Sequence, residues 1–555
     1  MSQERIPLTV SIESRDGTLT TDSKCCNGYF EKTVNGTVFI KRPGLSFYKS
    51  LPAGQAQGML YLPNDTMIVV INNTVYSIIS NAVATVGTIT GVLQTCYLAL
   101  SYNQEYVFIH NCTNGYLYNV STGSFVQLGD SNVINTTVLT GGDLYSTSPT
   151  VVFSPAPAGG VTATGVATVV SGVITDIIIT DMGYGYNTPP VITITDPTGT
   201  GATATCLLNA FPPGPYTSGV AYLDGYMIIG TTAGQLWNSG NLGITTDVTS
   251  WSALGYVSTN SIPDNLVGIT RHLNYVIAFG EWGMDMYYDS GVAYPDSPLS
   301  LAPSYHSEIG CVNGNSIVSM DNTVLWIGQG LSTGPVVYML EGTMPVPIST
   351  WSINKVLSTS TIENIYAYLF KYNGHSFYVL TLYDVNLTLV YDLTTQSWSQ
   401  WTMWATSDET GIVSENYFRP VFFAGSYLNN LQYYCLDYNN GTIYLFSDNN
   451  TTDLEYPIYY RVVTPLLDSG TTKRKLYHSI EIVGDKLNGS GRLRYTSDDY
   501  RSWSNFRTVS LTANRPILYQ LGNSRRRAWE LLSLSNTPLR LTCLEVNLTI
   551  GEQDN

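Results

Sequence analysis

The sequence predicts an all-β protein: a β-propeller of six or seven blades with an inserted small β module and a C-terminal β-sandwich. The 555 residues include 41 tyrosines, 49 glycines and 25 prolines, whereas charged residues make up only 12%. Helix surfaces usually carry many Glu, Lys and Arg, while Tyr, Thr, Val and Ile suit pleated strands and Gly, Asn and Pro suit the turns between them. The apolar content of 44% is sufficient for packed interiors. Composition therefore favours several β domains over a helical or disordered chain.

A recurring unit predicts the propeller. Each copy is a strand, a tight polar turn and a second strand rich in Tyr, Val and Ile, often followed by a third strand that ends in an aromatic residue. The copies lie at residues 60–78, 100–120, 220–239, 269–290, 318–340, 369–393 and 423–447. From the third copy onward the starts are roughly 50 residues apart, a period typical of propeller blades. The Asn-Gly pairs at 373–374 and 440–441 are typical hairpin turns.

The spacing of the copies is broken once, between the second and the third. Residues 163–205 alternate Thr with Val and Ile and are rich in glycine, unlike the Tyr-rich copies. We interpret this region as a small β module inserted in a blade loop; the alternative is a long decorated loop. Period-2 runs around polar turns predict the sandwich at the C-terminus. The predicted domains are an N-terminal strand-and-arm segment (1–50), a first propeller segment (51–158), the inserted module (159–206), a second propeller segment (207–460) and the C-terminal β-sandwich (461–555).

The net charge of −16 is unevenly distributed. Residues 461–555 hold 14 Lys and Arg against 9 Asp and Glu, whereas residues 1–460 hold 11 against 32. An acidic body argues against general affinity for nucleic acid, because phosphate contacts dominate such binding. It still allows DNA to slide along an acidic wall without adhering.

Two basic tracts stand out as candidates for a subunit interface or a DNA channel. Three hypotheses remain open for them: solvated turns, an intersubunit salt-bridge belt against the acidic propeller, or contact with the DNA backbone. Arginine suits the last two, because its planar fork pairs with carboxylate or phosphate through two hydrogen bonds. The candidate residues are Lys473, Arg474, Lys475, Arg525, Arg526 and Arg527.

The sequence shows no constellation typical of catalysis or metal binding, so we predict no enzyme activity and no cofactor. The eight cysteines form no Cys-x-x-Cys pair or Cys/His cluster, and we interpret them as reduced, mostly buried thiols. The five histidines are scattered and are interpreted as turn or surface residues. Asp498 and Asp499 fit an Asx turn better than a glycosidase pair, and Glu281 and Asp285, beside Trp282, are the best remaining candidates for sugar contact. We expect no secretion signal and no membrane span.

Four groups of short motifs follow one another over nearly the whole chain. The first is Asn27-Gly28-Tyr29-Phe30-Glu31 with Lys41-Arg42-Pro43-Gly44-Leu45, and the second is Asp264-Asn265-Leu266-Val267-Gly268-Ile269 with Ile277-Ala278-Phe279-Gly280 and Met286-Tyr287-Tyr288. The third is Gly310-Cys311 with Val324-Leu325-Trp326-Ile327-Gly328, and the fourth is Thr464-Pro465-Leu466-Leu467 with Tyr495-Thr496-Ser497-Asp498-Asp499 and Leu521-Gly522-Asn523-Ser524-Arg525-Arg526-Arg527. Their order and spacing resemble the tail hub or nozzle proteins of short-tailed bacteriophages, also called packaged-DNA stabilisation proteins. The segment at 163–205 departs from that pattern, but its Gly-Tyr-Gly-Tyr-x-x-Pro-Pro at 183–190 resembles a module of phage tail and fibre proteins.

The resemblance implies a structural subunit of a homohexameric ring in the virion tail, assembled in the host cytoplasm. Such a ring lies below the portal and adaptor proteins, contacts tail fibre, spike or needle proteins, retains the packaged genomic DNA and forms the conduit for its ejection. Composition and periodicity alone leave a second hypothesis open, a carbohydrate-binding or glycan-cleaving propeller of the tail-spike or lectin type. A ring with an axial channel would favour the first hypothesis, and a monomer with a deep acidic, Trp-lined pocket would favour the second.

Overall fold

The protein is seen here as a computed structural model. It describes residues 2–6, 8, 12, 22–34, 36–101, 104–129, 132–157, 160–186, 188–240, 248, 250–259, 264–292, 296–320, 322–403, 406–408, 411–425, 432–447, 450–485 and 488–551. The chain divides into two compact units. Unit 1 comprises residues 1–54 and 315–555, and unit 2 comprises residues 55–314.

The N-terminal segment of unit 1 contributes five strands. They are β1 (Ser2–Ile6), β2 (Lys24–Cys26), β3 (Gly28–Thr33), β4 (Gly36–Lys41) and β5 (Gly44–Ser50). The strands of unit 2 follow: β6 (Ala56–Tyr61), β7 (Thr66–Ile71), β8 (Thr74–Ile79), β9 (Ala82–Thr88), β10 (Tyr97–Leu100), β11 (Tyr106–His110), β12 (Gly115–Asn119), β13 (Phe125–Leu128), β14 (Val133–Asp143), β15 (Thr150–Phe153), β16 (Thr164–Val170), β17 (Val173–Asp181), β18 (Ile192–Thr195), β19 (Thr200–Leu208), β20 (Ala221–Leu223), β21 (Tyr226–Thr231), β22 (Gln235–Ser239), β23 (Trp251–Ser258), β24 (Leu266–His272), β25 (Tyr275–Gly280), β26 (Met284–Asp289) and β27 (Leu299–Leu301).

The C-terminal segment of unit 1 supplies the remaining elements. Its strands are β28 (Val318–Met320), β29 (Thr323–Gly330), β30 (Thr333–Glu341), β31 (Met344–Pro347), β32 (Ile365–Tyr372), β33 (His375–Leu382), β34 (Leu387–Asp392), β35 (Ser397–Trp401), β36 (Thr406–Asp408), β37 (Gly411–Ser414), β38 (Pro420–Gly425), β39 (Tyr433–Asp437), β40 (Thr442–Ser447), β41 (Thr452–Asp453), β42 (Tyr456–Pro457), β43 (Tyr460–Val463), β44 (Lys475–Gly484), β45 (Ser490–Thr496), β46 (Arg507–Ser510), β47 (Ile517–Tyr519), β48 (Asn523–Ser524), β49 (Ala528–Ser533) and β50 (Arg540–Ile550). The helical elements are α1 (Trp351–Thr359) and short 3₁₀ turns at Gly314–Ser316 and Tyr383–Val385. No helix in the described part of the chain is long and apolar enough to span a membrane.

Unit 2 contains, among its described residues, four antiparallel sheets of four strands each. They are β6–β9, β10–β13, β20–β23 and β24–β27, and within each sheet the strands pair in sequence order. The second strand of a sheet is fully buried, as in β7 and β21, and it reads as a continuous apolar run. The outermost strand β9 is largely exposed. This gradient from buried to exposed strands is why the recurring unit is visible in the sequence.

The inserted module is a stack of nested strand pairs within unit 2. Strand β14 pairs with β19, β15 pairs with β18 and β16 pairs with β17. The pairs enclose a core of their own that includes Tyr145, Phe153 and Ile177. The pairing runs from Val133 to Leu208, so residues 133–158 add two strands to the stretch predicted as the module. The domain boundaries drawn from the sequence remain predictions.

Unit 1 continues the four-stranded pattern. Strands β28–β31 form one sheet, β32–β35 form the start of a nine-stranded sheet, and β38–β40 take the N-terminal β5 as their fourth strand. The predicted hairpin turn at Asn373-Gly374 is confirmed, since both residues adopt positive φ values of 48° and 80° between β32 and β33.

The C-terminal sandwich is confirmed, and it also uses the N-terminal strands. One layer is the seven-stranded sheet that contains β3, β4, β44 and β50, with β1 on β50. The other is the end of the nine-stranded sheet, in the order β2-β43-β49-β45-β46. Their shared core includes Phe30, Phe39, Ile480, Leu531 and Leu541. Strands β1, β3 and β4 of the predicted N-terminal strand-and-arm segment thus pack into the sandwich, because their apolar residues face its core, whereas β5 pairs with β40.

Candidate functional site

The two predicted basic tracts meet at one edge of the sandwich. Strand β44 begins at Lys475 and pairs with β48, which places Lys475 opposite Ser524, directly before the second tract. The Nζ of Lys475 donates to the carbonyl oxygen of Arg525 at 2.8 Å across a sequence separation of 50 residues. The six candidate residues therefore form one cluster.

Lys475 serves the fold within this cluster. Its side chain is buried, and Nζ donates to the carbonyl oxygens of Thr471 at 2.6 Å, Lys473 at 3.0 Å and Arg525 at 2.8 Å. Burial lowers the pKa of this ammonium group. The hypothesis that Lys475 contacts a partner needs correction here, because its ammonium group is buried and donates to the backbone carbonyl oxygens of Thr471, Lys473 and Arg525.

Arg527 is likewise an internal residue. Its guanidinium carbon lies 4.1 Å from the ring centroid of Tyr477 and 4.0 Å from that of Tyr495, and Nη1 donates to the carbonyl oxygen of Leu521 at 2.7 Å. Burial lowers its pKa. Arg527 precedes Trp529 and Leu531 with the same strand parity, and those side chains belong to the sandwich core. This alternation distinguishes Arg527 from Arg526, but Arg525 has the same parity and is exposed, so the sequence alone does not identify the buried arginine.

The remaining four cations are exposed: Lys473, Arg474, Arg525 and Arg526. We name them the basic edge. Within the described residues no carboxylate forms an ion pair with any of them. Leu476 and Ile550 beside them are 48% and 44% exposed. A cationic surface with apolar side chains, whose cations form no ion pair within the described part of the chain, is suited to binding an acidic partner.

The motif Lys41-Arg42-Pro43-Gly44 is structural, a role that the sequence did not reveal. Arg42 is 1% exposed and donates to Asn27 Oδ1 at 3.0 Å, to the carbonyl oxygen of Thr402 at 3.0 Å, and to both carboxylate oxygens of Asp453 at 2.9 and 2.5 Å. A Cβ on Gly44 would clash with the carbonyl oxygen of Thr452. The motif therefore fastens β5 to strands from the C-terminal half.

The five histidines include three that are buried, His110, His272 and His375, which corrects the prediction of turn or surface positions. The Nε2 of His110 lies 3.1 Å from the carbonyl oxygen of Gly219, and burial lowers the pKa of this ring to about 4. His375 Nδ1 lies 2.8 Å from the buried carboxylate of Asp392. These three rings are part of the packed interior.

The candidates for sugar contact are held by neighbouring residues. The Oδ1 of Asp285 lies 2.8 Å from His306 Nδ1, and Glu281 accepts from Asn265 Nδ2 at 3.2 Å. Asp498 accepts from the hydroxyl of Thr496 at 2.8 Å and from the backbone N–H of Ser502 at 3.0 Å, as expected for a capped turn. Hydrogen bonds, first from the Ser502 hydroxyl, lower the pKa of Asp498 to about 2. All eight cysteines carry free thiols, seven of them buried, as predicted.

The net charge is better divided between the two units than between the segments before and after residue 460. Residues 55–314 contain 15 Asp and Glu but a single basic residue, Arg271. Unit 2 therefore carries nearly all of the net charge of the chain, and unit 1, with the basic edge, is close to neutral.

Successive four-stranded antiparallel sheets, one of them completed by an N-terminal strand, define a protein of the β-propeller class. Three solved structures are similar to this chain at low identity. "Crystal Structure of Mitotic Checkpoint Complex" aligns at 7% identity with a TM-score of 0.35, covering 72% of this chain and 94% of that one. "Crystal Structure of the N-terminal Domain of Nup159" aligns at 8% with a TM-score of 0.35 (77% and 100%), and "Crystal structure of WD40 beta propeller domain of Doa1" at 8% with a TM-score of 0.33 (73% and 97%). No curated protein sequence matches this chain significantly.

The family is given by the sequence itself. Residues 162–451 match the phage stabilisation family described as "Bacteriophage P22 Gp10, beta-propeller", and the chain belongs to that family. The prediction of family and the prediction of an all-β propeller are both confirmed. The protein is a bacteriophage structural protein of the DNA-stabilisation class and a component of the virion.

Proposed function

We propose that the chain is one of six subunits of a ring in the tail nozzle or hub, which retains packaged DNA and becomes the conduit for its ejection. The observation that carries this proposal is the family match over residues 162–451 of a propeller chain. The ring lies beneath the portal and adaptor proteins and binds fibre, spike or needle proteins on its other side. It assembles in the host cytoplasm.

The charge of unit 2 supports a conduit. DNA carries one negative charge per about 1.7 Å of helix axis, and proteins hold it mainly by neutralising phosphates with Lys and Arg. Residues 55–314 offer one such side chain, Arg271, against 15 carboxylates. A wall built from this unit repels the phosphates, so the genome passes without being bound.

The basic edge supports ring assembly. Lys473, Arg474, Arg525 and Arg526 are exposed, and an adjacent copy offers the acidic surface of its unit 2. Charge pairs of this kind steer association and fix the relative position of the partners more than they add affinity. In this proposal the basic edge contacts the neighbouring subunit rather than the genome.

Imaging of phage particles tests the proposal. Particles made without this protein should package DNA and then lose it, and addition of the purified chain should restore DNA retention together with a six-fold density below the portal. Particles that retain DNA without the protein, or a restored density that is not a closed ring, would contradict it.

A further inference from the structure

A series of alternating charges crosses the nine-stranded sheet of unit 1. Lys24 Nζ lies 3.0 Å from Glu415, which lies 2.8 Å from Arg461 Nη1; Arg461 Nε lies 2.7 Å from Glu530, which lies 2.6 Å from Arg494 Nε. Burial alone would raise the pKa of Glu415, but the attraction of Lys24 and Arg461 outweighs it and lowers that pKa to about 2. Three basic side chains thus face two carboxyl groups, so basic groups outnumber acidic ones in the series.

The series ends in a groove of the sandwich with a volume of about 710 Å³. Its lining includes Arg492, Arg494, Trp503, Asn505, Phe506 and Thr508. Arg492 and Arg494 occupy alternate positions of β45 and therefore point to the same face of the sheet. Thr508 of the edge strand β46 lies opposite Arg492.

The groove contains more positive charge than its neighbours neutralise. Both carboxylate oxygens of Glu530 are taken, one by Arg461 and the other by Arg494. No carboxylate among the described residues pairs with Arg492. An anionic group placed between the guanidinium groups of Arg492 and Arg494 would continue the alternation of positive and negative charges. A carboxylate fits this position, because its two oxygens can accept two parallel hydrogen bonds from a guanidinium group.

The remaining lining residues indicate what carries the anion. The guanidinium carbon of Arg494 lies 4.7 Å from the ring centroid of Trp503 and 4.4 Å from that of Phe506, so the two aromatic rings are held in place around it. Aromatic rings beside hydroxyl and amide groups, here Thr508 and Asn505, suit the apolar face and the hydroxyls of a sugar ring. The volume is within the range of small-ligand sites, about 300–1,000 Å³, whereas a nucleic-acid strand needs a longer groove with successive stacking platforms.

We infer that this groove binds a carboxylate-bearing saccharide, such as a uronic-acid unit of a bacterial surface polysaccharide. Arg492 and Arg494 bind the carboxylate, and Trp503 and Phe506 pack against the sugar ring. The inference goes beyond the proposed ring and conduit, since a nozzle subunit needs no saccharide site. It places a contact for the cell surface on the sandwich rather than on the propeller.

Calorimetric titration of the full chain with tri-galacturonate tests the inference, with neutral maltotriose in parallel. Tri-galacturonate should bind, and maltotriose should bind at least about tenfold more weakly, because the charged hydrogen bonds are absent. Arg492→Gln should weaken tri-galacturonate binding at least about tenfold, and Arg492→Lys by less, because lysine keeps the charge but loses the fork. The matched control is Arg501→Gln, which removes the same charge from an exposed turn outside the groove and should change affinity less than about twofold. Melting temperatures of all three variants show that they are folded.

Four results would overturn the inference. The first is no binding of tri-galacturonate to the wild-type chain at about 10 mM, weaker than the millimolar range of simple ligands. The second is equal weakening by Arg492→Gln and Arg501→Gln, which indicates unspecific attraction. The third is tighter binding of hexathymidylate than of tri-galacturonate with the same dependence on Arg492, which indicates a nucleic-acid site. The fourth is displacement of tri-galacturonate by an equal concentration of inorganic phosphate, which indicates a site for simple anions.

Discussion

Replacement of Arg42 by alanine should destabilise unit 1 more than almost any other single change of a charged residue. The guanidinium makes five hydrogen bonds and is 1% exposed, and its removal leaves the carboxylate of Asp453, itself 2% exposed, without its cation. Breaking a buried ion pair by removing one partner costs about 3–5 kcal/mol, because the remaining charge stays out of water. The ring of Phe418, 4.6 Å from the guanidinium carbon, loses a cation–π contact as well. We therefore expect a loss of about 4 kcal/mol in the free energy of unfolding.

Urea unfolding followed by tryptophan fluorescence measures this loss, since Trp401 is buried beside the site. The double variant Arg42→Ala/Asp453→Asn should recover about 2 kcal/mol relative to the sum of the single changes, because the isolated charge is gone. Arg515→Ala is the control: it breaks an ion pair with Glu481 whose arginine side chain is 65% exposed, and its urea midpoint should stay within error of the wild type. If Arg42→Ala shifts the midpoint no more than Arg515→Ala does, the buried network does not stabilise the fold as reasoned.

Three further predictions concern acid, the module and the basic tracts. The pKa of His110 falls from near 6.5 in the unfolded chain to about 4 in the folded one. The free energy of unfolding that this neutral ring contributes is therefore fully present above pH 6.5 and should decline by about 3 kcal/mol as the pH falls to 4. His110→Gln should remove this part of the decline in unfolding titrations, and an unchanged pH profile would refute the role given to His110. The N–H of Asn209 donates to the carbonyl oxygen of Asn132 at 2.7 Å, so the two ends of the module are adjacent. Excision of residues 133–208 with a Gly-Gly joint should therefore keep a cooperative thermal unfolding transition. Excision of residues 160–207 should not, because β14 and β15 lose the strands with which they pair. The double variant Arg525→Gln/Arg526→Gln should impair incorporation into particles without lowering the melting temperature of the lone chain. Arg527→Gln should instead destabilise the lone chain by about 2 kcal/mol. Particles that assemble normally with the double variant but leak DNA would show that the basic edge contacts the genome.

The blade strands could be predicted from the sequence because the information is local. Buried central strands such as β7 and β21 are unbroken apolar runs, and the turn at Asn373-Gly374 requires residues that tolerate positive φ. These signals act within ten to twenty residues. They identify strands and hairpins without reference to any distant segment of the chain.

Pairing between distant segments could not be predicted in the same way. Nothing near β5 indicates that its partner is β40, nor does the sequence around Arg42 indicate Asp453. The tract Arg525–Arg527 looked uniform because composition does not record which side of a strand each residue faces. Strand alternation with Trp529 separates Arg527 from Arg526 but not from Arg525, which has the same parity and is exposed. The charge series that ends at Arg494 joins residues from five segments that no local pattern connects.

The pairing of β1 with β50 has a consequence for the newly made chain. Arg5 and Glu545 are 540 residues apart, and synthesis proceeds at about 5–20 residues per second, so about 30–110 s separate their appearance at the ribosome. Unit 2 is complete in sequence by residue 314 and can fold while translation continues. Strands β1, β3 and β4 must wait until β50 has been synthesised, with Phe30 and Phe39 uncovered in the meantime. If translation stops before β50, the released chain has a complete unit 2, but β1 and β4 lack the strand with which they pair. We expect host chaperones and proteases to recognise the apolar residues that remain exposed there.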